Sequence, residues 1–175
     1  MKILTTLVLC LAGLMLAIAP FAAYAASSQD ADLAELVERA ATAHERLMRG
    51  DIAGYRQVMQ VTSDFTLMDP FGGKPTGAPP SDDHWARIGQ LFQGGRDAVF
   101  NLIASYITSN LAVLVANEHA HVAFGGLPAQ NWSLRVTLVF RKEDSRWLLA
   151  HRHADPLASG ISREQAAALA SGDRP

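Results

Sequence analysis

The chain has 175 residues, with 15 Lys+Arg against 17 Asp+Glu for a formal net charge of −2, and 49% hydrophobic residues, enough to supply a core. This balance, without a basic cluster, excludes the electrostatic footprint of a nucleic-acid or anionic-membrane binder. The single cysteine, Cys10, excludes a disulfide framework.

Lys2 is the only charge before Asp30, residues 3–19 are almost wholly apolar, and Ala23-Tyr24-Ala25 is the small-x-small pattern that a signal peptidase accepts. Residues 1–25 therefore read as an export signal. The mature protein is expected to begin at Ala26, to be periplasmic or secreted, and to have no membrane attachment once the signal is gone. A retained segment would be an anchor instead, because the apolar run approaches the ~20 residues that span a bilayer. Val8-Leu9 before Cys10 lacks the small residue of a lipoprotein site, so the mature chain has no thiol. Residues 26–175 suffice for one domain, 26–160, and a tail, 161–175; they are too few for two ordinary domains.

Along the mature chain the apolar period is first helical and then two. Leu33, Leu36, Val37, Ala40, His44 and Leu47 recur at helical spacing, which predicts an amphipathic helix over 30–49 ended by Gly50. Asp51 caps a second, short helix to about Met59 that buries Ile52, Tyr55 and Val58. A strand is expected at 62–69, followed by a Gly/Pro loop at 70–80. Ser81 then caps a third helix with Trp85, Ile88 and Leu91 inward, closed by Gly94-Gly95.

From Arg96 the pattern is that of antiparallel sheet. Phe100, Leu102 and Tyr106 alternate against Val99, Ile103 and Ile107. Further strands are expected at 111–122, 132–141 and 146–155, with turns at Asn110, Gly125-Gly126 and 142–145. Ile161 to Ala170 reads as a short helix. Helices first and strands afterwards mean α+β.

This order of helices followed by a curved antiparallel sheet resembles the cone-shaped fold shared by nuclear transport factor 2, ketosteroid isomerases and SnoaL-like polyketide cyclases. Gly50-Asp51, Tyr55, Thr66-Leu67-Met68-Asp69-Pro70-Phe71-Gly72-Gly73 and Gly77 are similar to the isomerase segment in which the aspartate before Pro-Phe-Gly is the catalytic base. Arg141 to Arg152, with Trp147 and His151-Arg152-His153, resembles the last hairpin of SnoaL-like domains and of the association domain of calmodulin-dependent kinase type II. The resemblance covers residues 30–158 and implies an α+β cone, N-terminal helices packed on a curved antiparallel β-sheet. It implies Asp69 as the base. The isomerase's tyrosine and second aspartate fall near Ala43 and Thr137, so that oxyanion hole is missing. His84 stands where the kinase domain places a pocket histidine, eight residues ahead of Phe92.

Each candidate has two readings. Asp69 is a pocket base or a turn aspartate capping the Pro70 loop. His44, on the apolar face of the first helix, is a pocket group or a hydrogen-bonded core residue. Glu118 interrupts a strand face of Ala112, Leu114, Ala116, Ala120 and Val122, where an acid must be paired or line a pocket. In the last strand, Trp147, Leu149, His151, His153 and Asp155 alternate with Leu148, Ala150, Arg152 and Ala154. A slip of one residue exchanges the sets. The resemblance favours the second set inside, so that Arg152 receives an anionic or carbonyl-bearing ligand. Arg135, on the neighbouring strand, competes for that role or pairs with Asp69.

His119/His121 and His151/His153 each form a His-x-His pair, but a meander puts the 132–141 strand between them, roughly 10 Å of separation at the ~4.8 Å strand spacing. No metal and no cofactor is therefore expected. The sequence points to a conical pocket for a small, mostly apolar molecule bearing a carbonyl or carboxylate. In it Asp69 relays a proton while Arg152 or His84 stabilises charge. The alternative is a non-catalytic ligand-binding or assembly module that forms a homodimer through the outer sheet face.

Overall fold

The computed structural model describes residues 19–77 and 80–172, with side chains from Ser28 onward. Most of the expected export signal lies outside them. The chain runs α1 (Ala19–Arg49), α2 (Ile52–Val58), β1 (Val61–Met68), β2 (Thr76–Gly77), α3 (Asp82–Leu91), β3 (Phe92–Ile107), β4 (Leu111–Phe124), β5 (Leu127–Glu143), β6 (Arg146–Pro156) and α4 (Arg163–Ala170). The backbone of α1 passes through the expected cleavage point after Ala25. Among the described residues no helix is long and apolar enough to cross a membrane.

The helix signals act where their chemistry places them. Asp51 accepts the Gly54 N–H at 2.8 Å to open α2, and Ser81 accepts the His84 N–H at 3.2 Å to open α3. Gly50 joins α1 to α2 with a φ of 79°, and a Cβ there would stand 2.7 Å from the Phe92 carbonyl oxygen, so only glycine permits this turn against β3.

The six strands lie in the order β2-β1-β6-β5-β4-β3. The long β3-β4-β5-β6 meander is antiparallel, as expected, but β1 joins β6 in parallel, so the sheet is mixed. The parallel pair arises because α2 and β1 precede the meander and β1 reaches the far side of its last strand. The sheet curves round α1, whose Leu36, Ala40 and Ala43 are buried against Leu114, Leu138, Phe140 and Leu149. Each large core side chain of this kind is worth roughly 1.5–3 kcal/mol of apolar burial.

Two expectations fail locally, both through extra residues in strands. Gly94-Gly95 does not close α3, which ends at Leu91. Gly94 (φ 63°) and Asp97 (φ 56°) instead lie at irregularities of β3 against β4. A further register shift between Leu102 and Ala104 breaks the expected alternation, so Phe100, Leu102 and Ile107 pack inward while Val99, Ile103 and Tyr106 are exposed.

Candidate functional site

Between α2, α3, β1 and the inner face of the sheet opens a cleft of about 690 Å³, counted with its mouth. Its walls are apolar: Leu47, Met48, Val61, Phe65, Leu67, Trp85, Ile88, Phe92, Trp132 and Leu134. Asp69, His84, Tyr55 and Arg152 also line it, and the buried indole N–H of Trp132 has no hydrogen-bond partner among the described residues.

Asp69 follows the end of β1 and is half-buried. Its Oδ1 accepts the Phe71 N–H at 2.9 Å, capping the Pro70 turn, and the residue also lines the cleft. His84, in the first turn of α3, meets Trp85 edge-on with ring centroids 5.5 Å apart. Burial pushes the His84 imidazole down from its ordinary range, the Arg87 charge adds to this, and Asp69 opposes it.

Arg152 reaches the cleft because of a bulge. Phe140 pairs with Leu149, Leu138 with Arg152 and Val136 with Ala154, which leaves Ala150 as the extra residue. Leu149, Arg152 and Ala154 thus share the inner face, so neither expected alternation holds along the whole strand. His151, His153 and Asp155 are turned outward. His151 Nδ1 lies 2.7 Å from Thr66 Oγ1 and His153 Nε2 lies 3.4 Å from Asp155. Neither packs on Trp147, which is buried under the Lys142 ammonium at 5.0 Å.

Glu118 is inside, 2% exposed, but behind the cleft. It closes a fork with Arg152, accepting from Nη1 at 2.8 Å and from Nη2 at 2.7 Å. Burial pushes the Glu118 carboxyl up, yet the Arg152 charge and hydrogen bonds, with His44, hold it below its ordinary range. Burial likewise disfavours the Arg152 charge, and Glu118 more than restores it. His44 is a core residue at 3% exposure, its Nε2–H donated to the His119 carbonyl at 2.9 Å and its Nδ1 3.4 Å from Glu118 Oε2. His44, Glu118, Tyr55 and Arg152 meet around a small inner void, about the size of one water molecule. Glu118 and His44 therefore do not line the main cleft.

Arg135 is a correction. Leu134, Val136, Leu138 and Phe140 are buried, so the period of two turns Arg135 to the outer surface, where it faces Asp155 at 3.7 Å and not Asp69. The histidine pairs also stand on that outer face, with β5 between them: His119 is level with Ser133, and His153 with Thr137. Among the described residues no three His, Cys, Asp or Glu side chains are grouped to hold a metal ion.

Tyr55 was legible only as core, from the inward stripe of α2. Its residue is buried, its hydroxyl has no hydrogen-bond partner among the described residues, and it borders both cavities. Burial pushes its phenol above the ordinary range, with Arg152 opposing, so it is an O–H donor at neutral pH. Tyr55 and Arg152 thus supply hydrogen-bond donors at the base of the cleft, from elements other than those near Ala43 and Thr137.

Several solved structures share this architecture. A candidate dehydratase of the nuclear transport factor 2-like family from Streptomyces avermitilis is 18% identical, with a TM-score of 0.60 over 74% of this chain and 99% of that one. A nuclear transport factor 2-like superfamily protein from Salmonella enterica serovar Typhimurium is 17% identical, with a TM-score of 0.57 over 74% and 94%. The association domain of C. elegans calmodulin-dependent kinase type II is 14% identical, with a TM-score of 0.53 over 74% and 98%. At these identities the likeness is one of fold. No functionally curated protein matches the sequence. The family pattern of the SnoaL-like domain matches residues 36–159, most of the chain, and the protein belongs to the SnoaL-like family within the nuclear transport factor 2-like fold.

Proposed function

We propose that the cleft binds a small, mostly apolar molecule carrying a carbonyl or carboxylate, and that Asp69 moves a proton beside that group. The observation that carries this reading is the make-up of the cleft: apolar walls, Asp69 and His84 close enough to interact, and Tyr55 beside Arg152 where the cleft adjoins the inner void. A carboxylate is the base, and donors fixed at the base of the cleft stabilise the charge that develops on oxygen. An NMR measurement of deuterium wash-in at the α-carbon of a ketone probe such as 2-tetralone tests it. Asp69→Asn keeps an acceptor for the Phe71 N–H, so the fold is retained while exchange falls by ~10²–10⁴. Equal exchange rates for the two proteins sink the proton-transfer reading.

A second reading, a non-catalytic ligand-binding module that assembles as a homodimer, is favoured by the outer face of β3. Val99, Ile103 and Tyr106 are 51%, 59% and 67% exposed there, an apolar strip along one strand. Sedimentation equilibrium of the protein and of Ile103→Asp separates the two. Monomers in both remove the assembly reading. We propose further that residues 1–25 direct export, that the mature protein is periplasmic or secreted, and that it has no nucleic-acid partner.

A further inference from the structure

We infer that the cleft selects a neutral hydrogen-bond acceptor (a ketone, aldehyde, ester or amide carbonyl) over the matching carboxylate, and that Glu118 is the residue that sets this choice. The inference rests on the reading of the cleft as a ligand site and narrows it.

Among the described residues Arg152 is the one Lys or Arg lining the cleft, and a lone buried guanidinium would capture a carboxylate by its fork. Here the fork is already occupied. Glu118 takes one N–H from each terminal nitrogen, at 2.8 and 2.7 Å, with the two side chains 3% and 14% exposed. The pair is electrically cancelled where water cannot screen it. A second carboxylate would lose its hydration, meet no net positive charge and face the Glu118 carboxylate across the guanidinium. The lining also carries a second acid, Asp69, which offers a carboxylate no donor.

What the base of the cleft does lack is an acceptor. Two of the five guanidinium N–H groups go to Glu118. The other three, and the Tyr55 O–H, have no protein acceptor among the described residues. Unfilled donors in an apolar enclosure are costly, and a carbonyl oxygen fills them without adding charge.

The test compares 2-acetylnaphthalene with 2-naphthoate, matched in size and differing in charge. Ligand-observed NMR titration at pH 8, where an ordinary imidazole is neutral, keeps the His84 imidazole, pushed down by burial, out of the balance. The protein should bind the ketone at least about tenfold more tightly than the carboxylate. Glu118→Gln, which keeps an acceptor for Arg152 and removes the charge, should raise naphthoate affinity by at least about tenfold; each factor of ten is ~1.4 kcal/mol. A carboxylate bound as tightly as the ketone by the unaltered protein overturns the inference and leaves the cleft reading standing. A ketone preference that Glu118→Gln does not relax removes Glu118 as its cause. If that variant does not fold, the ratio for the unaltered protein decides. Failure of both probes to bind at millimolar concentration overturns the ligand-site reading, and the inference with it.

Discussion

Replacing one partner of the Arg152–Glu118 fork should damage the protein far more than replacing both. In Glu118→Leu the guanidinium stays at the base of the cleft, 14% exposed, with no counter-charge. In Arg152→Met the carboxylate is left 3% exposed beside His44. Stranding one member of a buried ion pair costs ~3–5 kcal/mol, whereas exchanging both for apolar residues of similar volume is near neutral. For a domain of this size each kcal/mol moves Tm by ~2–4 °C, so each single variant should melt roughly 6–20 °C lower and the double variant close to the parent. Urea unfolding of the four proteins gives the double-mutant cycle, with an expected coupling of ~3 kcal/mol or more. The pH dependence carries a second signature. Glu118 is held below the ordinary carboxyl value of 4.5, so its stabilisation is complete above that pH and lost as pH falls through the lower folded value. The parent should therefore lose stability below about pH 4.5 more steeply than the double variant. Additive single effects, or acid profiles of equal slope, refute the reasoning.

Three further outcomes follow from single contacts. Gly95→Ala puts a Cβ 2.4 Å from the Met48 carbonyl oxygen, where α1 crosses β3, and urea unfolding should show a loss of ~1–3 kcal/mol. Asp64→Asn should leave the melting temperature unchanged at pH 7: Arg141 holds Asp64 at about 2, but the pair lies in open solvent, 63% and 38% exposed, and is screened. Intact-mass measurement of the protein from its native host should give a chain starting at Ala26; a mass that retains residues 1–25 removes the export proposal.

The elements were legible because their signals are local. Asp51 and Ser81 cap the helices they precede, and the perfect alternation Ala112, Leu114, Ala116, Glu118, Ala120, Val122 marked the inner face of β4 before any pairing was known. What could not be read were the places where a strand gains a residue. No residue type announces the extra Ala150, yet it decides which of two interleaved sets faces inward. The shift at Ile103 likewise exchanged Tyr106 for Ile107. The parallel β1–β6 pair is another long-range fact: Thr66 and His151 meet across 85 positions, and nothing in either segment favours parallel over antiparallel pairing.

The same bulge explains why residue-by-residue transfer from a related fold placed Asp69 in the cleft and missed the donors Tyr55 and Arg152. Asp69 sits at a strand end before a proline turn, a position that a motif can carry because strand, turn and aspartate are contiguous. The donors come from Tyr55 on α2 and Arg152 beyond Ala150, residues far apart in sequence that converge only after β6 has shifted register. Without the extra residue, continuing the alternation from Leu149 would turn His151 and His153 inward, send Arg152 to solvent, and leave Glu118 as an unpaired carboxylate behind an apolar cleft. The bulge, the Glu118–Arg152 fork and the polar base of the cleft therefore stand or fall together, and the proposed chemistry depends on one inserted backbone residue as much as on any side chain.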